Sequence, residues 1–416
     1  MSYVKGLRCR MCAREYPKTT SYVCEYCFGP LEVVYDYEGI KRSISRDSIQ
    51  KGPRSLWRYR DLLPIDGEPQ AGFYSGFTPL IRANNLARAL GVREAWVKDD
   101  SVCHPTFSFK DRVVSVAITK AKEFGFDTVA CASTGNLGNA VSAHGAQAGL
   151  KRFIFIPADL ERGKIVASLI YKPTLVAVEG IYDEVNRLCS EIASRYQWAF
   201  VNINIRPYYA EGSKTIGFEI AEQLGWKAPQ HVVAPVASGS LLCKIHKSFK
   251  EFHAMGLIDK PRTRIHGAQP AGAAPVYLAF KAGSDIIKPV KPVTIAKSLA
   301  MGNPADGVFV LETVKETGGT MDEATDEEIV AGIQLLAETE GVFTETAGGV
   351  TMAVTRKLVQ RGAIPKDDSV VICITGNGLK TVEPLAEAIG KPFQIKPNID
   401  AFEEKVGRHL RKSDAH

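Results

Sequence analysis

The chain has 416 residues, 45% hydrophobic and 24% charged, the composition of a folded globular protein long enough for two large lobes rather than one core. Its net charge of +6 is spread along the sequence, which suits an enzyme handling anions and argues against nucleic-acid binding. No run approaches about 18 consecutive apolar residues, and the first ten residues lack the apolar core of a signal peptide, so no membrane span and a cytoplasmic location are expected.

Cys9, Cys12, Cys24 and Cys27 come first in chain order, as two Cys-x2-Cys pairs separated by eleven residues. Four thiolates on two hairpin turns can close a tetrahedral zinc site with no open position, which implies structural Zn2+. Empty thiols or a disulfide pair are the alternatives, and the odd total of nine cysteines weighs against disulfides. Cys103, Cys131, Cys189, Cys243 and Cys373 stand singly, several in apolar runs, where cysteine serves as a small core residue. The zinc-ribbon-like module is expected to span 1–37 and to end in an alternating strand over 31–37. Residues 38–94 read as a connector leading into the large lobe, with room for one short helix in the charged, unpatterned stretch 38–60.

From residue 95 onward strands and helices alternate. Strands are expected over 95–98, 128–132, 153–156, 174–178 and 199–201, with helices starting near residue 110 and over 140–148 and 182–196. This order predicts an α/β protein with parallel sheets and right-handed crossovers. A smaller lobe would cover 95–210, a larger one 211–400, and a charged tail 401–416. The Pro/Lys-rich stretch 284–292 reads as an exposed loop.

In His104-Pro-Thr-Phe-Ser-Phe-Lys110-Asp-Arg112, Ser108 is positioned to cap a helix whose apolar residues Val113, Val116, Ala117 and Ala121 recur at helical spacing. Lys110 then falls in the first turn, at the positive end of the helix dipole, where a lysine loses its proton more easily. That suits a Schiff-base nucleophile, the plain alternative being a surface lysine. Three strand-turn-helix units follow. The strand at 128–132 runs into Ser133-Thr134-Gly135-Asn136, and the strand at 232–236 into Ala237-Ser238-Gly239-Ser240-Leu241. The strand at 370–375 ends on Thr375 and the turn Gly376-Asn377-Gly378-Leu379-Lys380. Turns of this kind present free amides to an anion, and ligands in parallel sheets bind beyond the carboxyl ends of strands. The histidines show no ligand spacing: His144 reads as a core residue, and Glu345 as a helix cap.

Ser75-Gly-Phe-Thr-Pro-Leu80, Pro105 to Arg112, Ser133 to Asn136, Glu211-Gly-Ser-Lys-Thr-Ile-Gly-Phe-Glu219 and Thr375 to Lys380 run in the order of a known family. Over about three-quarters of its length the chain resembles the fold-type II enzymes that use pyridoxal 5'-phosphate and, within them, the threonine synthase family. The resemblance implies two parallel-sheet α/β lobes and assigns Lys110 as the amine that holds the cofactor and later works as an acid/base. Asn136 would meet the ring's phenolic oxygen, Ala237, Ser238, Gly239, Ser240 and Leu241 the cofactor phosphate, and Thr375 the pyridine nitrogen. The turn carrying Ser133 and Thr134 would bind the substrate carboxylate, or else be a plain helix cap. Asn204, Arg206, Ser213 and Lys214 are candidates for the phosphate of O-phospho-L-homoserine, or else a solvated loop. A homodimer is implied by resemblance alone. A serine/threonine dehydratase or a cysteate or cysteine synthase shares most of these marks, and a non-enzymatic zinc-ribbon interaction module is the remote alternative.

Overall fold

The computed structural model describes residues 3–386 and 388–407. Its first strands, β1 (Val4–Cys9), β2 (Glu15–Tyr16) and β3 (Leu31–Tyr35), pair antiparallel in the order β2-β1-β3. Alternation fixes which face of β3 is inside, with Leu31, Val33 and Tyr35 buried and half-buried residues between them; in β1, Val4, Gly6, Leu7 and Cys9 are buried, the alternation slipping where the register shifts between Val4 and Gly6. Those side chains join a hydrophobic core that also contains Val113, Ala117, Ile220, Val232 and Val371, so the cysteine module shares its interior with the rest. The connector is more structured than its sequence suggests. It contains helices Tyr37–Ser43 and Arg46–Gln50 and the 3-10 run Leu56–Leu62.

Ten strands follow in two further sheets. They are β4 (Leu80–Arg82), β5 (Glu94–Asp99), β6 (Thr128–Ala132), β7 (Lys151–Pro157), β8 (Thr174–Val178), β9 (Ala199–Phe200), β10 (His231–Pro235), β11 (Arg264–Pro270), β12 (Met321–Ala324) and β13 (Ser369–Ile374). The order is β8-β7-β6-β9 in the smaller sheet, all parallel, and β12-β11-β10-β13-β5-β4 in the larger. The larger sheet is parallel except at β4, which pairs antiparallel with β5, a departure from the all-parallel expectation. β6, β10 and nearly all of β13 are buried along their length, as strands covered on both faces must be.

One expected boundary needs correction. The strand near residue 95 does not open the smaller lobe; β5 lies in the larger sheet, six residues in parallel register with β13. Sequence proximity to the Lys110 helix says nothing about which distant strand completes the pairing. The loop over 284–292 is mostly exposed, as expected. Two compact units divide the chain, Met1–Thr381 and Val382–His416. The second holds a 3-10 turn, Glu383–Leu385, a short helix, Ile399–Phe402, and a π-turn, Glu403–Gly407. Beyond residue 407 the expected tail lies outside the described residues. Among the described residues no helix is long and apolar enough to cross a membrane.

Candidate active site

Lys110 is the first residue of the helix Lys110–Glu123, and it lines a cavity of about 450 Å³, a size that suits a small organic ligand. Ser108 does not cap this helix. Its hydroxyl is buried without a partner, and the Asp111 carboxylate serves the turn instead, accepting from the Thr106 amide at 3.0 Å and the Thr106 hydroxyl at 2.8 Å. Burial lowers the Lys110 amine to about 8, opposed by the Glu345 carboxylate. Backbone bonds tie this segment to the strand end it must face. The Phe109 amide donates to the Thr375 carbonyl at 2.9 Å and the Asn377 amide to the Phe107 carbonyl at 3.1 Å. Lys380, at the end of the same turn, donates to the Thr106 carbonyl at 2.6 Å.

The turn after β6 leads into the helix Asn136–Gln147. The Ser133 hydroxyl accepts from the amides of Gly135 (2.9 Å) and Gly138 (2.7 Å), so this side chain works as a helix cap while also lining the cavity beside Thr134. Asn136 donates from Nδ2 to both oxygens of Glu345 at 2.8 and 2.9 Å, and its Oδ1 has no partner. Glu345 stands at the N-cap of the helix Thr346–Gln360, as expected, but makes no side-chain cap bond. Its carboxylate turns into the cavity instead, under Gly376, where a Cβ would come within 2.5 Å of it.

Beyond β10, residues 237–241 wrap the N-terminus of the 15-residue helix Ser240–Ala254, and all five line the same cavity. Gly239 has φ +98°, and a Cβ there would meet Val310 at 2.5 Å, so only glycine allows this close turn. The amides of the helix's first turn have no partner within it. Thr375, at the end of β13, is buried at the cavity wall. Lys110, Ser133, Thr134, Asn136, the 237–241 turn and Thr375 are thus gathered around one volume.

The four candidates for a second anion site separate. Arg206 and Ser213 line the cavity, and the Ser213 hydroxyl has no partner. Lys214 does not: fully buried, it pairs with Glu211 at 2.7 Å and Glu251 at 3.0 Å and donates to the Leu62 carbonyl at 2.7 Å. Asn204 also faces elsewhere, accepting from the Phe200 amide at 2.8 Å and donating to the Trp198 carbonyl at 3.0 Å. Its near neighbour Asn202 lines the cavity instead, with an unpartnered Oδ1. Two asparagines two residues apart in Asn202-Ile203-Asn204 carry no sequence signal to say which faces inward. Among the other lining residues missed are Tyr182, Asp183, Tyr209 and, from the cysteine module, Tyr22, Phe28 and Pro30. His144 is buried 3.1 Å from Asp111, a core position as expected.

The other cluster is at the cysteines. The four Sγ atoms of Cys9, Cys12, Cys24 and Cys27 all lie within 4.8 Å of one another, with Cys9 to Cys27 at 3.4 Å and Cys12 to Cys24 at 3.6 Å.

Comparison with known proteins places these features in a family. Residues 73–376 match the family described as pyridoxal-phosphate dependent enzyme. A threonine synthase of Methanosarcina acetivorans is 37% identical over 403 residues, 96% of this chain and 98% of the relative. One of Methanocaldococcus jannaschii is 37% identical over 399 residues, 95% and 98% of the two chains. Among solved structures, the processed threonine deaminase isoform 2 of Solanum lycopersicum aligns with a TM-score of 0.62 at 23% identity, over 73% of this chain and 80% of that one, a likeness of fold alone. The chain belongs to the pyridoxal-phosphate dependent enzymes and, within them, to the threonine synthase family.

Proposed function

We propose that this chain converts O-phospho-L-homoserine and water into L-threonine and phosphate, using pyridoxal phosphate held on Lys110. One observation carries the reading. A single cavity combines a lysine of lowered pKa with two places for an anion, the amides opening the Ser240–Ala254 helix and the guanidinium of Arg206 beside Ser213. A cofactor phosphate and a substrate phosphate need both.

The residues present fit the cofactor. The Gly239 turn brings backbone close enough to cradle a phosphate, and Asn136 Oδ1 and Ser213 Oγ are buried with nothing to bond. When bound, the cofactor supplies the electron sink that lets an amino acid lose a proton from carbon. Lys110 Nζ would hold the cofactor and would be the base at the substrate's Cα proton; its value of about 8 leaves part of it neutral at ordinary pH. Asn136, held by Glu345 and with its Oδ1 unpartnered, would be the partner of the ring oxygen. The Thr375 hydroxyl would partner the ring nitrogen as a neutral group, which would leave that nitrogen less charged than a carboxylate would. The Ser133–Asn136 turn receives the substrate carboxylate.

Phosphate release and threonine formation on O-phospho-L-homoserine, set beside threonine deamination and turnover of O-phosphoserine with sulfite, test the reading. The first reaction should dominate; equal or better turnover of O-phosphoserine with sulfite would replace it by a cysteate synthase. Borohydride reduction followed by peptide mapping should place the cofactor on Lys110, and label elsewhere refutes that assignment.

The same proposal includes structural zinc at the four cysteines. Four sulfurs bound about 2.3 Å from one zinc ion stand about 3.8 Å apart, close to the separations present. Elemental analysis of protein purified without chelator should return one zinc per chain. A cytoplasmic location, from the cysteine usage, and a homodimer, on resemblance alone, complete the proposal, and sedimentation tests the dimer.

A further inference from the structure

We propose that Asp306 is the positioning residue for Arg206 and that, through Arg10, it makes the cysteine module part of the wall that selects a phosphorylated substrate. The inference rests on the reading that this cavity takes a phosphate monoester.

Asp306 stands just before the helix Gly307–Glu316, with its side chain 7% exposed. Its Oδ2 accepts from Arg206 Nη2 at 2.6 Å, and its Oδ1 from Arg10 Nη1 at 3.3 Å. Its backbone amide donates to the Ser238 carbonyl at 2.8 Å, and its own carbonyl lies 3.1 Å from where a Gly239 Cβ would be. One residue therefore touches the phosphate turn, the second cation and the N-terminal module. Arg10 is itself fixed: it follows Cys9 in sequence, and its guanidinium lies 3.4 Å from the centroid of the Phe309 ring.

The geometry decides what Asp306 does. Asp306 divides its two oxygens between two arginines, Oδ1 for Arg10 and Oδ2 for Arg206, and Arg10 competes for the oxygen a bidentate grip on Arg206 would need. The carboxylate takes Nη2 alone, and among the described residues Nε and Nη1 of Arg206 have no protein partner. Without Arg10, Asp306 is free to bind Arg206 bidentately and draw it away from an incoming anion. The module contributes directly as well, since Phe28 and Pro30 line the same cavity.

The test uses the holoenzyme with D306N, R10Q and the double variant. D306N should raise both the KM for O-phospho-L-homoserine and the Kd for inorganic phosphate about tenfold. The kcat should stay within about twofold, and the cofactor absorbance should not change. R10Q should raise both constants about threefold, and the double variant should be no worse than D306N, because Arg10 acts through Asp306. An unchanged phosphate Kd in D306N overturns the proposal, as does a double variant in which the single effects multiply. Should D306N fold poorly, R10Q carries the test, and an unchanged Kd there overturns it too. If the wild type fails to turn over O-phospho-L-homoserine while D306N still loses phosphate affinity, the functional reading falls and the placement of Arg206 stands.

Discussion

Lys110 loses its proton near pH 8 because the cavity it lines takes its amine partly out of water, whereas a free lysine holds on to about 10.5. The rate at which the apoenzyme takes up pyridoxal phosphate should therefore rise through pH 8 and level off above it, since the neutral amine is the nucleophile. Growth of cofactor absorbance at a series of pH values measures this, and a rise centred near 10.5 would mean that the amine is solvated. Lys214, also at a helix start in a family motif, has a different role. It neutralises Glu251 and, together with Lys244 and Lys247, Glu211 where no water reaches, so Lys214→Met should cost about 3 kcal/mol of stability by leaving buried Glu251 without its ion-pair partner, with the substrate KM of the folded fraction unchanged. Denaturant titration beside steady-state kinetics separates the two effects. A sequence shows that a lysine is present but not which acids converge on it from residues 37 positions away, as Glu251 does. That is why the motif around Lys110 led to a lysine at the cavity and the one around Lys214 did not.

Among elements, the junction of β10 with the Ser240–Ala254 helix shows most directly how backbone makes a site. Gly239→Ala would force a side chain onto Val310 in a left-handed conformation, which moves the first amides of the helix. Cofactor affinity should fall by about tenfold or more while the sheets stay intact, measured by titrating apoenzyme with pyridoxal phosphate and by far-ultraviolet circular dichroism. An unaltered affinity would show that the turn does not bear the phosphate. Strand-turn-helix units of this sort were legible because their signals are local: apolar runs, a small-residue turn, a helical period. The reach of Glu345 from one helix N-terminus to Asn136 on another was not, because the helix-start pattern at 344–349 looks the same whether its acid caps the helix or turns away. Nor did the alternation of elements reveal that β5 joins β13 in the larger sheet, since pairing between strands so far apart in sequence leaves no local trace.

At the scale of the whole molecule, motifs far apart in sequence meet in one buried charge network. Arg112, two residues after Lys110, donates to both oxygens of Asp100 at 2.7 and 2.8 Å and to Glu219, which also pairs with Lys98 at 2.6 Å; all four side chains are out of reach of solvent. Glu219 in turn accepts the Phe77 and Thr78 amides, so the network clamps the segment before β4, the strand β5 and the Lys110 helix together. Burial by itself would raise the Glu219 carboxyl, but Arg112 first and Lys98 second bring it down to about 2 from an ordinary 4.5. Burial weakens Lys98's own hold on its proton, so Arg112 is the cation that matters most. The sign follows from linkage: a carboxyl depressed in the folded state adds stability in full above pH 4.5 and loses it as pH falls towards 2. That contribution is on the order of 3 kcal/mol. Glu219→Gln should lower stability at neutral pH by about 3–5 kcal/mol, because Arg112 then keeps only Asp100 as a counter-charge. Its stability should also fall less steeply than the wild type's between pH 4.5 and 2. Urea unfolding followed across that range, with both proteins at each pH, tests the clamp; parallel curves would mean that acid acts elsewhere and that Glu219 is not what ties the Lys110 helix to the larger sheet.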